Sequence, residues 1–334
     1  MAPLTAEELV KHPAYPTVEW ELTPTTSGKQ AVAQTRRGGP INLHYEIHGT
    51  GPVKLVWIMG LNGTLKDWRR QTRYFGHKHG SRYTCLVFDN RGVGLSDKPI
   101  SFYSTSEMAQ DVVDLVSSLG WIDLAGPPER SIHVIGASMG GMIAQEVAML
   151  IPDRLASLML NCTAPRLVRT GPFVENLRQR ANMFIPRHID VELERLAKSV
   201  FADEFLAQPD TEYEDPAKNF PTKRDRFAAG VIRKRANTDE YTKKGFMMQI
   251  VACYFHHKSA AQLKTLGDRV GRDRIAVTHG TKDLMLTFRH GEILREEIGD
   301  GITWRAFEGS GHMLGWEREE ELHELIEEIV SRCN

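Results

Sequence analysis

Two hydrophobic patterns alternate along this chain. Short apolar runs rich in β-formers recur as VKLVWIMG, YTCLVFDNRG, SIHVIGASMG, LASLMLNCTA, RIAVTHGTKD and ITWRAFEGSG, each punctuated near its end by Gly, Asn or Asp. Such runs predict strands buried on both faces of a parallel sheet. Between them the apolar spacing turns helical. In Ser106–Leu119, the residues Met108, Val112, Val113, Leu115, Val116 and Leu119 approximate one face, and in Arg318–Cys333 the residues Leu322, Leu325, Ile326, Ile329 and Val330 do the same. Upstream, QAVAQTR and INLHYEIHG flank Arg37-Gly38-Gly39-Pro40, which predicts a hairpin with a short loop. Strand and helix in alternation predict right-handed crossovers and an α/β fold with a mostly parallel, doubly wound sheet. Its ligand crevice lies beyond the carboxyl ends of the strands.

The alternation breaks between residues 166 and 266, a stretch of helical patterns read as a cap inserted into a core formed by residues 29–165 and 267–334. Residues 1–28, rich in Pro and Thr, read as an extension over the surface. The cap carries Phe173, Met183, Phe184, Phe201, Phe205, Phe220, Phe227, Phe246, Met247, Met248, Tyr254 and Phe255. Most of these are expected to pack the cap onto the sheet, and a minority to line a lipophilic pocket. Lys223, Arg224, Arg226, Arg233, Lys234 and Arg235 read as a solvated helix face, and His256-His257 as an exposed pair on a cap helix. Adjacent helical positions point apart, which makes that pair a poor metal site.

Composition narrows the class. The chain has 334 residues, 41% hydrophobic and 25% charged, with a formal net charge of -1. That balance fits a folded globular protein and supplies no global field for nucleic acid or an anionic membrane. Cys85, Cys162, Cys253 and Cys333 are scattered without Cys-x-x-Cys spacing and read as free thiols of a reducing, cytoplasmic compartment. The opening MAPLTAEELVKHPAYP lacks the apolar run of a signal peptide. No apolar stretch reaches the roughly 18 residues a membrane span needs.

The chemistry lies at strand ends. SIHVIGASMGG sets Ser138 between Gly136 and Gly140, after a buried strand and before the helical pattern MIAQEVAML. A Gly-x-Ser-x-Gly turn forces the serine into a strained conformation and exposes its hydroxyl at a helix start. A serine nucleophile needs a base, and the base a carboxylate. His312, in the small-residue loop Gly309-Ser310-Gly311-His312-Met313, is the best of thirteen histidines. Asp283 closes RIAVTHGTKD, whereas LASLMLNCTA ends without a carboxylate, and Asp268, Asp273 and Asp300 flank strand starts or loops. His279 reads as a buried strand-end histidine. For the oxyanion, the backbone N–H groups of Met139 and Leu61 are the expected donors. Asn62 is placed in the substrate pocket, where it either bonds substrate through its side chain or serves the turn. Asp89-Asn90-Arg91-Gly92-Val93-Gly94-Leu95-Ser96 lacks the spacing of a nucleotide loop and reads as a structural turn held by Asp89 and Arg91. No cofactor and no metal are called for.

Gly136-Ala137-Ser138-Met139-Gly140-Gly141, Asp89-Asn90-Arg91-Gly92-x-Gly-x-Ser96, Trp68-x-x-Gln71 and Gly311-His312 together resemble the capped α/β-hydrolase superfamily, near enol-lactonases, esterases, monoglyceride lipases and proline iminopeptidases. The resemblance spans about Ile41–Val330. Met59-Gly60 stands where many such proteins show His-Gly, which leaves the oxyanion amide and alters the pocket wall. Epoxide hydrolases and dehalogenases of this superfamily carry Asp at the nucleophile position, so Ser138 argues against both. The resemblance implies cleavage of a carboxylic ester, thioester or lactone through an acyl-Ser138 intermediate, with a small lipophilic acyl substrate. Acyl transfer by the same triad and ligand binding with slow turnover are the alternatives.

Overall fold

Five of the six apolar runs become strands covered on both faces, whereas ITWRAF, expected to be buried likewise, lies at the edge of the sheet and is buried only at Phe307. The computed structural model describes residues 3–36, 38–170 and 187–333. Its strands are β1 (Thr26–Val32), β2 (Ile41–His48), β3 (Val53–Ile58), β4 (Tyr83–Phe88), β5 (Ile132–Ala137), β6 (Leu155–Asn161), β7 (Ile275–Gly280) and β8 (Thr303–Phe307). They form one eight-stranded sheet in the order β1-β2-β4-β3-β5-β6-β7-β8. β2 pairs antiparallel with β1 and β4, and every other pairing is parallel. The predicted hairpin is thus β1–β2, although its first strand begins at Thr26, inside the expected extension, and Arg37 of its loop lies outside the described residues. Every residue of β6 and β7 is buried.

The described helices of ten or more residues, with one short N-terminal helix, are α1 (Ala6–Lys11), α2 (Thr105–Ser118), α3 (Met139–Leu150), α4 (Ile189–Val200), α5 (Lys223–Ala236), α6 (Lys243–Phe255), α7 (Ala260–Val270), α8 (Phe288–Ile298) and α9 (Glu319–Cys333). α2 matches its predicted stripe and starts at a capping box, Ser104 with Glu107, which satisfies orphan amides at its N-terminus. On one side of the sheet, Val56, Leu86 and Val134 meet Met108, Val112 and Ile143. On the other, Trp57, Val87 and Ile135 meet Leu322, Ile326 and Ile329 of α9. The expected boundary at residue 266 falls inside α7. Leu263, Leu266 and Val270 of that helix pack in the sheet's core, so α7 belongs to the sheet layer.

α4, α5 and α6 lie between β6 and β7. Phe173, Met183 and Phe184 fall outside the described residues. Of the remaining large apolar side chains, Phe201, Phe205 and Phe220 are buried, whereas Phe246, Met247, Tyr254 and Phe255 are exposed. The N-terminal segment is fastened to this insertion. Leu9 of α1 is fully buried beside Leu193, Phe220 and Ala228, and the Leu4 and Ala6 amides donate to Asp225 and Asp190 at 3.1 and 2.6 Å. A Thr5–Glu8 capping box starts α1. The Thr-x-x-Glu signature lies within the stretch read as an extension over the surface.

Two expectations about charge are corrected. Arg224 and Arg226 do not sit on a solvated face. Arg226 Nε lies 2.6 Å from Asp210, and Arg224 is shared by Glu194 and Asp225 at 3.1 and 3.0 Å, all at the seam with the N-terminal segment. A buried guanidinium requires such partners. His256, expected to be exposed, is buried at the C-terminal cap of α6, with its Nδ1 2.9 Å from the Thr105 hydroxyl; His257 is exposed. Lys258 pairs with Glu146 beside it at 2.5 Å.

Burial, with the positive charges of Lys258 and His257, pushes His256 down to about 3. An unfolded chain binds this proton near pH 6.5 and the folded chain does not, so stability falls as pH drops below about 6.5. Buried carboxyls such as Asp89, held up to about 6 by burial, act in the opposite sense. The difference between chains therefore isolates His256. Between pH 7 and 4.5 the native chain is expected to lose about 2–3 kcal/mol more than His256→Asn, measured by urea unfolding at both values. Equal losses would refute the assignment.

Candidate active site

β5 ends at Ala137 and α3 begins at Met139, so Ser138 makes the reversal by itself, with φ 56° and ψ -123°. A residue with a Cβ holds that conformation only under strong constraint. The Ser138 amide donates to Asn161 O at 3.0 Å, and its carbonyl accepts from the Thr163 hydroxyl at 2.6 Å. A Cβ at Gly136 would collide with the Gly140 carbonyl, and one at Gly140 with the Ile58 carbonyl, so the helix approaches the sheet this closely only with glycine at both positions.

Asp283 follows β7, and His312 lies in the loop after β8. His312 Nδ1 is 2.6 Å from Asp283 Oδ2. The same oxygen faces His279 Nε2 at 3.2 Å, while Oδ1 accepts from the Met285 and Leu286 amides at 2.8 and 2.9 Å. Burial raises the Asp283 carboxyl, but His312 and His279 outweigh it and hold the group down at about 2. It is thus a carboxylate across the neutral range. His279, read as a strand-end histidine, is buried and serves as a second neighbour of this carboxylate.

The His312 loop is held from two directions. The Val200 carbonyl, at the end of α4, accepts from the His312 and Met313 amides at 2.8 and 3.1 Å. Glu317 accepts from the Gly311 amide at 2.8 Å, and burial holds its carboxyl up to about 7. Cys162 joins the two halves of the site. It follows Asn161, whose carbonyl holds Ser138, and its thiol, the Asp283 carboxylate and a His312 ring nitrogen lie within 4.8 Å of one another. This is the one group of three candidate metal ligands among the described residues. Its carboxylate and imidazole already engage each other, and burial with the nearby Asp283 charge keeps the thiol protonated. A soft metal ion would need both features undone.

The Gly60 loop closes the other side. A Cβ at Gly60 would lie 3.0 Å from Ser138 Cβ, so the loop runs directly against the serine. Among the described residues neither the Leu61 nor the Met139 amide has a hydrogen-bond acceptor, and none joins Ser138 Oγ to His312. Serine–base contacts often tighten only when substrate binds. Asn62 takes a left-handed turn conformation, φ 56°, with its amide bonded to Gln249 Oε1 at 2.8 Å. Gln249, Glu317 and the Val200 carbonyl escaped the sequence reading. The lone polar residue in FMMQIVAC was the available signal for the first; for a carbonyl there was none.

Asp89 and Arg91 stand in the structural turn expected of them. Asp89 accepts from the Leu65 and Leu95 amides, each at 2.8 Å, and Arg91 makes a two-pronged ion pair with Asp111 at 2.5 and 2.6 Å.

BpoC of Mycobacterium tuberculosis, which carries the name of a non-heme bromoperoxidase, is 36% identical over 140 residues, covering 40% of this chain and 46% of that protein. RutD of Azorhizobium caulinodans, named as a carbamate hydrolase, is 32% identical over 123 residues, covering 37% of this chain and 42% of that protein. The matched segments thus span less than half the length of these relatives. A thermophilic esterase from Thermogutta terrifontis superposes with a TM-score of 0.67 at 21% identity, over 92% of this chain and 99% of that one, which is a likeness of fold. No described helix is long and apolar enough to cross a membrane. The family model for the alpha/beta hydrolase fold matches residues 55–319, a span that holds Ser138, Asp283, His312 and both flanking loops, and the chain belongs to that family.

Proposed function

We propose that this protein is a serine hydrolase that cleaves a carboxylic ester, thioester or lactone of a small lipophilic molecule through an acyl-Ser138 intermediate. The observation that carries the reading is the Asp283–His312 contact of 2.6 Å, in a site whose serine is held at φ 56° on the tip of β5. Asp283 fixes His312 with Nδ1 protonated, which leaves Nε2 as the base. In the first half-reaction Ser138 Oγ forms a bond to the acyl carbon while its proton passes to His312. The Leu61 and Met139 N–H groups stabilise the oxyanion, and the leaving oxygen or sulfur departs with the proton from His312. In the second, water attacks the acyl carbon, gives its proton to His312, and the acid leaves as Ser138 Oγ takes that proton back. α4, α5 and α6 act as a cap over this site, supported by the contacts of α4 with the His312 loop and of α6 with the Gly60 loop.

The test is covalent. A fluorophosphonate probe should give one adduct per chain, located on Ser138 by peptide mass spectrometry, and prior incubation with a short p-nitrophenyl ester should slow its formation. An unlabelled Ser138, or an adduct at another residue, would sink the proposal. Such a result would favour a ligand-binding role. Turnover with added ethanol separates hydrolysis from acyl transfer by the product formed.

A further inference from the structure

Gln249 sits in the middle of α6, fully buried, and both ends of its amide are used. Oε1 accepts from the Asn62 amide at 2.8 Å, and Nε2 donates to the Arg91 carbonyl at 3.0 Å. The side chain thus leaves the inserted helices and bridges two core loops, one after β3 and one after β4.

The first of these loops is the one that runs against Ser138. Its supports can be followed residue by residue. At its start, Asn90 Nδ2 donates to the Met59 carbonyl at 2.8 Å. At its end, Thr64 and Asp67 form a capping box that anchors the next turn. Between these anchors, the Gly63 amide reaches back to the Gly60 carbonyl at 3.2 Å. From outside the loop, the hydrogen bond described for its central residues is the one Gln249 makes to Asn62. Asn62 is also the residue held at φ 56°, a conformation that a residue with a Cβ keeps only when its surroundings enforce it. The Leu61–Asn62 peptide plane is pinned by that bond, and the neighbouring plane carries the Leu61 N–H.

We infer that Gln249 is a positioning residue for the oxyanion hole: by holding the Asn62 amide from the inserted helices, it aims the Leu61 N–H at the oxygen that becomes charged in the reaction. This rests on the serine-hydrolase reading above and deepens it. Gln249 touches no reacting atom. Its removal leaves the partly buried Asn62 amide without its acceptor, and the loop relieves that by rotating the peptide away from its left-handed turn. The Leu61 donor turns with it. A preorganised oxyanion donor acts chiefly in the transition state, so the loss belongs in kcat and not in KM.

The experiment uses the full chain and a p-nitrophenyl ester. Gln249→Leu is expected to lower kcat by about a hundredfold, the cost of losing one oxyanion donor, while KM changes by less than about threefold. Binding of an alkyl boronic acid, which forms a tetrahedral adduct with a reactive serine, should weaken in parallel with kcat. Gln249→Glu is the second variant. It keeps an acceptor for Asn62, and when protonated it also keeps a donor for the Arg91 carbonyl. Its kcat relative to the native chain should therefore fall as pH rises over about 6–9, where a buried glutamic acid ionises. A folded Gln249→Leu chain with kcat within threefold of native overturns the inference. So does a pH-independent ratio for Gln249→Glu if the leucine variant does not fold. Active Gln249 variants beside an inactive Ser138→Ala discard this inference alone, whereas an active Ser138→Ala chain discards the reading beneath it.

Discussion

Ser138→Ala is expected to fold as the native chain does and to lose about six orders of magnitude in ester turnover, the scale on which removal of a serine nucleophile acts when base and acid remain. The fold should survive because alanine keeps the Cβ. The strain of φ 56° is the same for both residues, and among the described residues Ser138 Oγ makes no hydrogen bond that alanine would forfeit. Those retained are backbone bonds, from Ser138 N to Asn161 and from Thr163 and α3 to Ser138 O. The measurement is initial rate with a p-nitrophenyl ester beside a thermal midpoint. A rate within tenfold of native, from a chain free of contaminating esterase, would remove Ser138 from the mechanism. A large fall in midpoint would instead show that the hydroxyl holds the turn together.

Asp111→Ala should have the largest effect on stability, about 3–5 kcal/mol by denaturant unfolding, because it leaves a buried guanidinium without its partner. The Arg91 side chain is 0% exposed and Asp111 3%, and Asp111 also binds Arg36 at 2.7 Å. Burial raises the Asp111 carboxyl against the pull of both arginines. Removing one partner is costly, whereas removing both is not. The double change Arg91→Met with Asp111→Leu should recover most of the loss, since an apolar pair has no charge to desolvate. A loss below about 1 kcal/mol for Asp111→Ala would mean that water reaches Arg91.

What could be read from the sequence and what could not divide along a physical line. β5, β6 and β7 were legible because burial on both faces demands continuous apolar composition, and Ser138 and Asp283 because each follows such a strand; His312 follows β8, an edge strand buried only at Phe307, and its small-residue loop was the signal there. The order of the three along the chain then matches the order of the strands that present them. Gln249, Glu317 and the Val200 carbonyl were not legible in the same way. Gln249 and the Val200 carbonyl act on residues far away in the chain, and Glu317 on Gly311 six residues before it, in each case through a contact that leaves no period behind. His256 and Arg226 failed for a related reason. Local pattern assigned them to a helix surface, and that surface proved to be an internal seam, where Thr105 and Asp210 meet them. α1 was missed because six residues with one buried leucine carry little periodicity, although its capping box was plain.

The bond between Gln249 and Asn62 bears on how such an enzyme can be remodelled. Exchanging the helices between β6 and β7 for those of a relative looks like a change of pocket alone, with the catalytic strands left untouched. Here the donor segment would also have to supply an amide at the place of residue 249 and a carbonyl at the place of residue 200. A graft lacking them would arrive with a new specificity and a slackened catalytic apparatus, and selection for substrate range on this scaffold would be selection on rate as well.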